Sequence, residues 1–401
     1  MSSAELFQPH IEYGTPRLRG LGDWSGLQQQ VEPPVTPIKD GRATPQPLRK
    51  EGMAMTIVEA PPGITGGVDT HLDKHVTAAL DPLGRLVGTE SFDADAAGYK
   101  ALLVWLEDFG EVTKVGVEGT GSYGVGLSRF LRRKGIEVVE VNRPNRQSRR
   151  NQGKTDSLDA VEAARAAISG RASGVGKTKD GPVEAIRVLV VAKRSARQAR
   201  VKAIVQMRHL GFTAPDQLHS RLKGLSVTAL VAEGAKLRAT KSADTVTAAT
   251  KASLSSLAHR IQGLDLEIAE LDEKIESLLL ATAPDLMARF GVGPDTAASL
   301  LVAAGDNPER LHSEAAWAHL CGVSPVPADS GKNAGHLRRH TGGDRQANSA
   351  LWRIAMVRIA HDPETTHYFE RRVKEGRTKR DVIRILQRYI AREVYRYLPR
   401  G

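Results

Sequence analysis

Lys114 to Gly124 reads "KVGVEGTGSYG". A short apolar run enters a G-x-G-x-x-G pattern, and "VGLSRFLRRKG" followed by "IEVVEVN" then supplies a helix and another strand. This is the outline of a dinucleotide-binding unit, and Glu140 even stands where such a unit carries its ribose-binding acid. Glu118 does not fit. The last residue of a buried parallel strand is usually apolar, and an ionised carboxylate there is costly unless something pairs with it.

What precedes the pattern decides between the two readings. "GGVDTHLDKHVTAALDPLGRLVGTESF", residues 66–92, breaks into apolar runs around Val68, Val76 to Leu80 and Leu86 to Val87. An Asp81-Pro82-Leu83-Gly84 turn joins the last two as a hairpin. Tyr99, Leu102, Leu103 and Leu106 then recur at the spacing of a helix that buries one face. Tyr123, Leu127, Phe130 and Leu131 predict a second helix, stopped at Gly135 before a strand over Ile136 to Asn142. The order is three meandering strands, helix, strand, helix, strand. The glycine pattern follows the fourth strand, whereas a dinucleotide fold carries it after the first strand of a purely alternating series. The expected fold class is therefore α/β, a ribonuclease H-type mixed sheet with flanking helices.

The chain has 401 residues, enough for two or three domains. Lys and Arg number 57 against 46 Asp and Glu, a formal charge of +11 with a pI near 9.7, which suits a polyanionic partner. Cys321 stands alone, which rules out an intrachain disulfide and a cysteine-rich zinc site and fits a reducing compartment. No apolar run reaches the roughly 18 residues of a membrane helix, and the first twenty residues lack the apolar core of a secretory signal. A soluble cytoplasmic protein with no membrane partner is expected. Residues 1–62 hold nine of the twenty prolines without sustained periodicity and read as a disordered extension.

Beyond the first unit, Gly170 to Gly181 is glycine-rich and reads as loose; its "GVGKT" is no phosphate loop, because position 171 is Arg where Gly is needed and no strand precedes it. Val183 to Leu210 is a basic amphipathic helix with seven Lys or Arg against Glu184. Leu254, Leu257, Ile261, Leu264, Ile268, Leu271, Ile275 and Leu278 alternate spacings of three and four, as in a two-stranded coiled coil whose partner is either another subunit or the basic helix folded back. The turn at Gly291 to Gly293 either offers the following helix N-terminus to a phosphate or simply connects two helices. Glu370 to Arg400 combines eleven Lys or Arg with periodic Val382, Ile385, Leu386 and Ile390, a helix with one buried and one basic face. The boundaries read as 1–62 extension, 63–175 acidic sheet domain, 176–282 basic helix and coiled coil, and 283–401 mainly helical C-terminal domain.

Asp69 ends one apolar strand and Glu118 another, while "KTDSLDA" places Asp156 and Asp159 three apart on one face at a helix start. Four carboxylates in one place repel and raise one another's pKa unless divalent cations lie between them, and hard oxygen ligands suit Mg2+ or Mn2+. Taken singly, each acid has a plainer explanation as a helix cap or turn residue; their joint occurrence favours a metal site. Arg143, Arg146, Arg149, Arg150 and Lys154 precede the second pair with no acid among them, which suits a phosphate backbone lying across the site.

"GVDTHLDKH", "VGVEGTGSYG", "EVVEVNRPNRQSRR", "GKTDSLDAVEAARA" and the C-terminal run from "GVGPDTAASLLVAAGDNPERLHSEAAWAHLCGVSPVPADSGKNAGHLRRHTGG" onward together resemble the DEDD transposases of the IS-one-ten class of insertion sequences, over about Gly66 to Arg400. The resemblance implies a RuvC-like domain with Asp69, Glu118, Asp156 and Asp159 as catalytic, metal-binding acids. It further implies a nucleophilic serine in the loop after "GVSPVP", where Ser330 is the first choice and Ser324 the second. Asp329 and Asn333 stand where relatives often have a second serine and glycine. Also implied are donor and target DNA, a bridge RNA that guides both, and a homo-oligomer in which dimers form a tetramer. Lys332, Arg338 and Arg339 would contact nucleic acid, and His336 and His340, four apart without a cysteine or third histidine, suit phosphate better than zinc. Two other functions remain open: a RuvC-like nuclease that hydrolyses branched DNA, and a non-catalytic RNA- or DNA-binding scaffold.

Overall fold

The structure is a computed structural model and describes residues 63–141, 155–172, 174–238, 244–327, 337–340 and 342–399. Its first unit is a five-stranded sheet built from β1 (Ile64–Thr70), β2 (Lys74–Leu80), β3 (Leu86–Asp93), β4 (Val112–Glu118) and β5 (Glu137–Val141) in the order β3-β2-β1-β4-β5. The meander β1 to β3 pairs antiparallel, and β4 and β5 add in parallel beyond β1. This is the mixed sheet that the strand order predicts. Asp81 makes the β2–β3 turn by accepting the backbone N–H of Leu83 and Arg85 on one carboxylate oxygen.

One face of the sheet is covered by α1 (Ala96–Glu107) and α2 (Val125–Arg133), which bury Leu102, Leu103, Leu106, Leu127 and Leu131 against Ile64, Val68, Val115 and Val117. Tyr123 belongs to the turn before α2 and is exposed, unlike the expectation from spacing. Among the described residues, the other face is covered by α3 (Asp156–Ile168). Here the contact is closer than ordinary helix-on-sheet packing. Gly67 and Gly116 lie opposite each other in β1 and β4. A Cβ on Gly67 would fall 2.2 Å from the Ala160 carbonyl oxygen and 2.6 Å from Ala164 Cβ, and one on Gly116 would fall 2.5 Å from the Ala163 carbonyl oxygen. Ala160, Ala163, Ala164 and Ala167 form the i, i+3, i+4, i+7 ridge of α3, all buried. Small residues on both sides let the two backbones touch.

The segment from Gly174 to Gly181 is a tie between the sheet and the C-terminal helices rather than a loose linker. Glu140 donates its backbone N–H to Gly174, and Arg132 of α2 reaches the carbonyls of Gly176 and Lys177. From the other side, Asn307 donates to the Gly176 carbonyl (3.1 Å) and accepts from Thr178 N–H, and Lys177 Nζ donates to Val302 O at 2.6 Å. Burial pushes the Lys177 ammonium below its usual range. Asp306 accepts the backbone N–H of Val183 and Glu184, capping the next helix.

That helix, α4 (Pro182–Phe212), is the basic one, and it folds back on α7 (Thr245–Thr282), with α5 (Asp216–Leu222) and α6 (Val227–Lys236) between them. Lys193 pairs with Asp272 and Arg200 with Asp265, which sets the two long helices antiparallel. The partner of the heptad helix is thus the chain's own basic helix along this stretch. At the far end Met207, Leu222, Leu230, Leu254 and Ile261 close one core; at the near end Ile186, Ile275 and Leu279 join the core of the C-terminal helices.

Those helices are α8 (Pro284–Met287), α9 (Pro294–Ala304), α10 (Glu314–Leu320), α11 (Arg345–His361), α12 (Pro363–Lys374) and α13 (Lys379–Arg396) around buried Trp317. A short antiparallel pair, β6 (Pro325–Pro327) and β7 (Leu337–Arg339), brackets the stretch that carries Ser330. The basic C-terminal region is two helices, parted at Gly376 with φ +91°, and Arg388 and Arg392 of its second helix pair with Glu314. The N-terminus of α9 faces α4: Asp295 in its first turn receives Lys193 Nζ at 2.6 Å and Arg197 at 3.0 Å. This geometry makes the Gly291–Gly293 turn a helix connection.

Burial alone would raise the Asp295 carboxyl, but Lys193 and Arg197 outweigh it and hold the group below its ordinary range. A depressed carboxylate contributes stability above its unfolded value and loses it as the pH falls through the folded one. Lys193→Met should therefore flatten the acid limb of a stability–pH curve below about pH 4, measured by urea unfolding. Gly67→Ala should cost about 1–3 kcal/mol through overpacking against α3, whereas Gly263→Ala, in the α7 interior with nothing within 4 Å of its added Cβ, should stabilise by about 0.5–1 kcal/mol.

Candidate metal centre

The parallel register places Val68 opposite Val117, so the next residues, Asp69 and Glu118, finish neighbouring strands at the same level. Thr70 Oγ1 donates to the Glu118 carbonyl at 2.7 Å and ties the two strand ends together. After Glu118 the chain turns at Gly119, with φ +71°, a conformation that a side chain disfavours. Residues spaced by two point to one side of a sheet, so Asp69 and Glu118 face the same way as Gly67 and Gly116, toward α3. Asp156 precedes Ala160 by one helical turn, and Asp159 precedes Ala163 likewise by four. Both acids therefore extend the alanine ridge past the ends of the strands.

The helix cap does not consume either acid. Thr155 is the N-cap residue and its side chain accepts from the Leu158 N–H at 3.3 Å. Asp156 is exposed, Asp159 is 2% exposed and Asp69 is 7% exposed. Burial pushes the Asp69 carboxyl above its ordinary range, Asp159 and Asp156 push it further, and His71 offsets part of the rise. Asp156 and Asp159 are both close enough for their charges to act on Asp69.

His71 was not singled out by the sequence patterns, yet its Nε2 lies 3.2 Å from Asp69 Oδ2 and 3.5 Å from Asp156 Oδ2. Asp69, His71 and Asp156 each offer one donor atom, all within 4.8 Å of one another. The signal was present in "DTH", because the residue two beyond a strand-end acid shares its side of the sheet. A donor set of carboxylates and one imidazole fits a divalent cation, whose charge would offset both the burial and the repulsion that raise Asp69.

Arg143, Arg146, Arg149, Arg150, Lys154, Ser330 and Lys332 lie outside the described residues, as do residues 1–62. Arg338 and Arg339 are on β7, and Ser324 lies just before β6. His340 follows β7 and packs on His319 of α10, ring centroids 3.7 Å apart; His336 is outside the described residues. No described helix is long and apolar enough to cross a membrane.

Because Asp69 is raised in the folded chain, its charge at neutral pH opposes folding. Asp69→Asn should therefore stabilise the metal-free protein by about 0.5–2 kcal/mol, a gain that shrinks on acidification as the native carboxyl takes up its proton. Denaturant melts at pH 7.5 and pH 4.5 check both statements.

Two family models match the chain: a DEDD transposase model over residues 66–210, and a model described as the transposase IS116/IS110/IS902 family over residues 283–370. The first covers the sheet, all four acids and most of α4; the second covers the stretch around Ser330. An uncharacterized 42 kDa protein of insertion element IS900 from Mycobacterium paratuberculosis is 29% identical over 199 residues, 49% of this chain and 47% of that protein. An uncharacterized 43.6 kDa protein of insertion element IS110 from Streptomyces coelicolor is 31% identical over 125 residues, 31% of each chain. The alignments thus span about half and about a third of those relatives. With two models of one group matching in order along one polypeptide, and the acids of the first converging at adjacent strand ends, the chain belongs to the DEDD transposases of the IS110 class.

Proposed function

We propose that the protein is the transposase of an insertion sequence, a DNA recombinase that cuts and rejoins strands by exchanging phosphodiester bonds. The observation that carries this reading is the convergence of Asp69 and Asp156, with Glu118 and Asp159 beside them, at one edge of a ribonuclease H-type sheet. Such a cluster suits Mg2+ or Mn2+, which when bound would polarise a phosphate and stabilise charge on the entering and departing oxygens. In this reading the protein itself supplies four oxygen ligands, two fixed by the sheet and two by the helix α3 packed on it.

Ser330, between β6 and β7, is the proposed nucleophile. Its oxygen would form a bond to phosphorus as one DNA ester oxygen leaves as a hydroxyl, so that the number of phosphoester bonds is conserved and a second DNA end can reverse the step. Arg143, Arg146, Arg149, Arg150, Lys154, Lys332, Arg338 and Arg339 are the proposed contacts to nucleic acid, consistent with the net positive charge. Donor and target DNA, a bridge RNA pairing with both, and dimers that assemble into a tetramer are the partners that family membership makes the leading choice. A cytoplasmic location belongs to the same proposal, as does a division into an acidic unit over 63–175, a helical region over 176–282 and a C-terminal unit over 283–401.

The test is a covalent-adduct assay with purified protein, co-purified RNA, Mg2+ and nicked donor DNA. Wild-type protein should form a protein–DNA adduct, and Ser330→Ala should lose it by at least about 100-fold while still binding DNA. Normal cleavage by Ser330→Ala would favour a hydrolytic nuclease instead. Unchanged cleavage by Asp69→Asn would remove both metal-dependent readings and leave a binding scaffold.

A further inference from the structure

We propose that His71 is a metal ligand, which makes the centre a mixed nitrogen and oxygen site that prefers Mn2+ to Mg2+. The proposal rests on the reading of the acidic edge as a metal centre and concerns which ion it takes. His71 immediately follows β1, and its backbone N–H donates to the Lys74 carbonyl at 3.2 Å, so the β1–β2 turn holds the residue at the strand end. From there the ring turns back over the site, with Nε2 between carboxylates from two different elements, Asp69 of β1 and Asp156 of α3.

Three features of this arrangement favour coordination over a simple hydrogen bond. First, one nitrogen faces two carboxylate oxygens, at 3.2 and 3.5 Å, and a single N–H cannot point along both directions. Second, two ligands on one cation with bonds of about 2.1 Å lie about 3.0 Å apart at a right angle and about 3.4 Å apart at the tetrahedral angle, close to the separations found here. Third, the His71 side chain is 45% exposed and that of Asp156 is 53% exposed, so water or a phosphate oxygen could reach an ion held there, while the Asp69 side chain is buried beneath them.

The chemical consequence follows from donor type. Mg2+ takes oxygen ligands and gives up its water reluctantly, whereas a first-row transition ion gains from an imidazole nitrogen. Mn2+ keeps the oxygen-rich coordination that Asp69 and Asp156 offer and accepts the nitrogen as well. Replacing the imidazole with an amide should remove that advantage and leave the carboxylates in place.

The experiment uses the full-length protein loaded with Mn2+, with histidine unlabelled or 15N-labelled, and pulsed electron paramagnetic resonance to detect nitrogen bound to the ion. Wild-type protein should show a histidine nitrogen coupling that changes with the isotope. His71→Gln should lose the coupling and bind Mn2+ about 10-fold or more weakly, with Mg2+ affinity changed by less than about 3-fold by competition. A thermal melt like that of wild type establishes that the variant is folded, and His71→Asn serves if His71→Gln is not. Mn2+ that binds in an Asp69-dependent way without nitrogen coupling would overturn the role of His71 and leave the metal centre standing; coupling that survives in the variant would do the same. No Asp69-dependent Mn2+ binding at all would overturn the metal centre itself.

Discussion

The contact between α3 and the glycines of β1 and β4 governs everything at the acidic edge. Gly67 and Gly116 have no side chain to hold the helix off, and the Ala160, Ala163, Ala164 and Ala167 ridge has little of its own, so backbone meets backbone. A helix at ordinary packing distance would carry Asp156 and Asp159 away from Asp69. The burial of apolar side chains on the opposite face, under α1 and α2, supplies the sheet with its main core. The α3 face contributes little apolar volume and a great deal of positional accuracy. That division of labour suits a site whose ligands come from separate elements.

The acids are brought together against their own repulsion. Asp69 is buried on a strand end, faces two further carboxylates, and is raised accordingly; His71 is the nearby group that eases it. Such a site is a place where stability is given up for function, because a neutral side chain would pack there with less strain. A divalent cation is the natural complement, since its two charges can offset several carboxylates at once.

A second constraint joins this edge to the rest of the polypeptide. The Gly174–Gly181 tie is held by Arg132 on the sheet side and by Asn307, Asp306 and the Val302 carbonyl on the helical side. The base of the α4–α7 hairpin then shares its core with α9, α11 and α13. Movement of the C-terminal helices relative to the acidic edge would have to break buried polar contacts around Lys177 and Asn307, which favours transmission over slack.

Much of this was legible in the chain itself. The meander before the alternation, the strand-end acids and the D-x-x-D at a helix start are local patterns, and local patterns follow from backbone periodicity of two or 3.6 residues. The same periodicity misplaced Tyr123, which sits at helical spacing but one turn too early, and the glycine-rich Gly170 to Gly181 read as loose because its partners, Arg132 and Glu140 on one side and Val302, Asp306 and Asn307 on the other, lie far off in the sequence. The heptads announced a two-helix seam without naming the partner, since apolar spacing carries no address; the Lys193–Asp272 and Arg200–Asp265 pairs supply it. His71 was missed for a related reason, as a histidine between two acids acquires its meaning only when the second acid arrives from another element. The sequence by itself determined the strand order and the basic character and singled out the four acids for a proposed metal site, because each is written in neighbouring residues. The tertiary structure alone decided which side chains meet, because a contact between β1 and α3 depends on the glycines that let them touch.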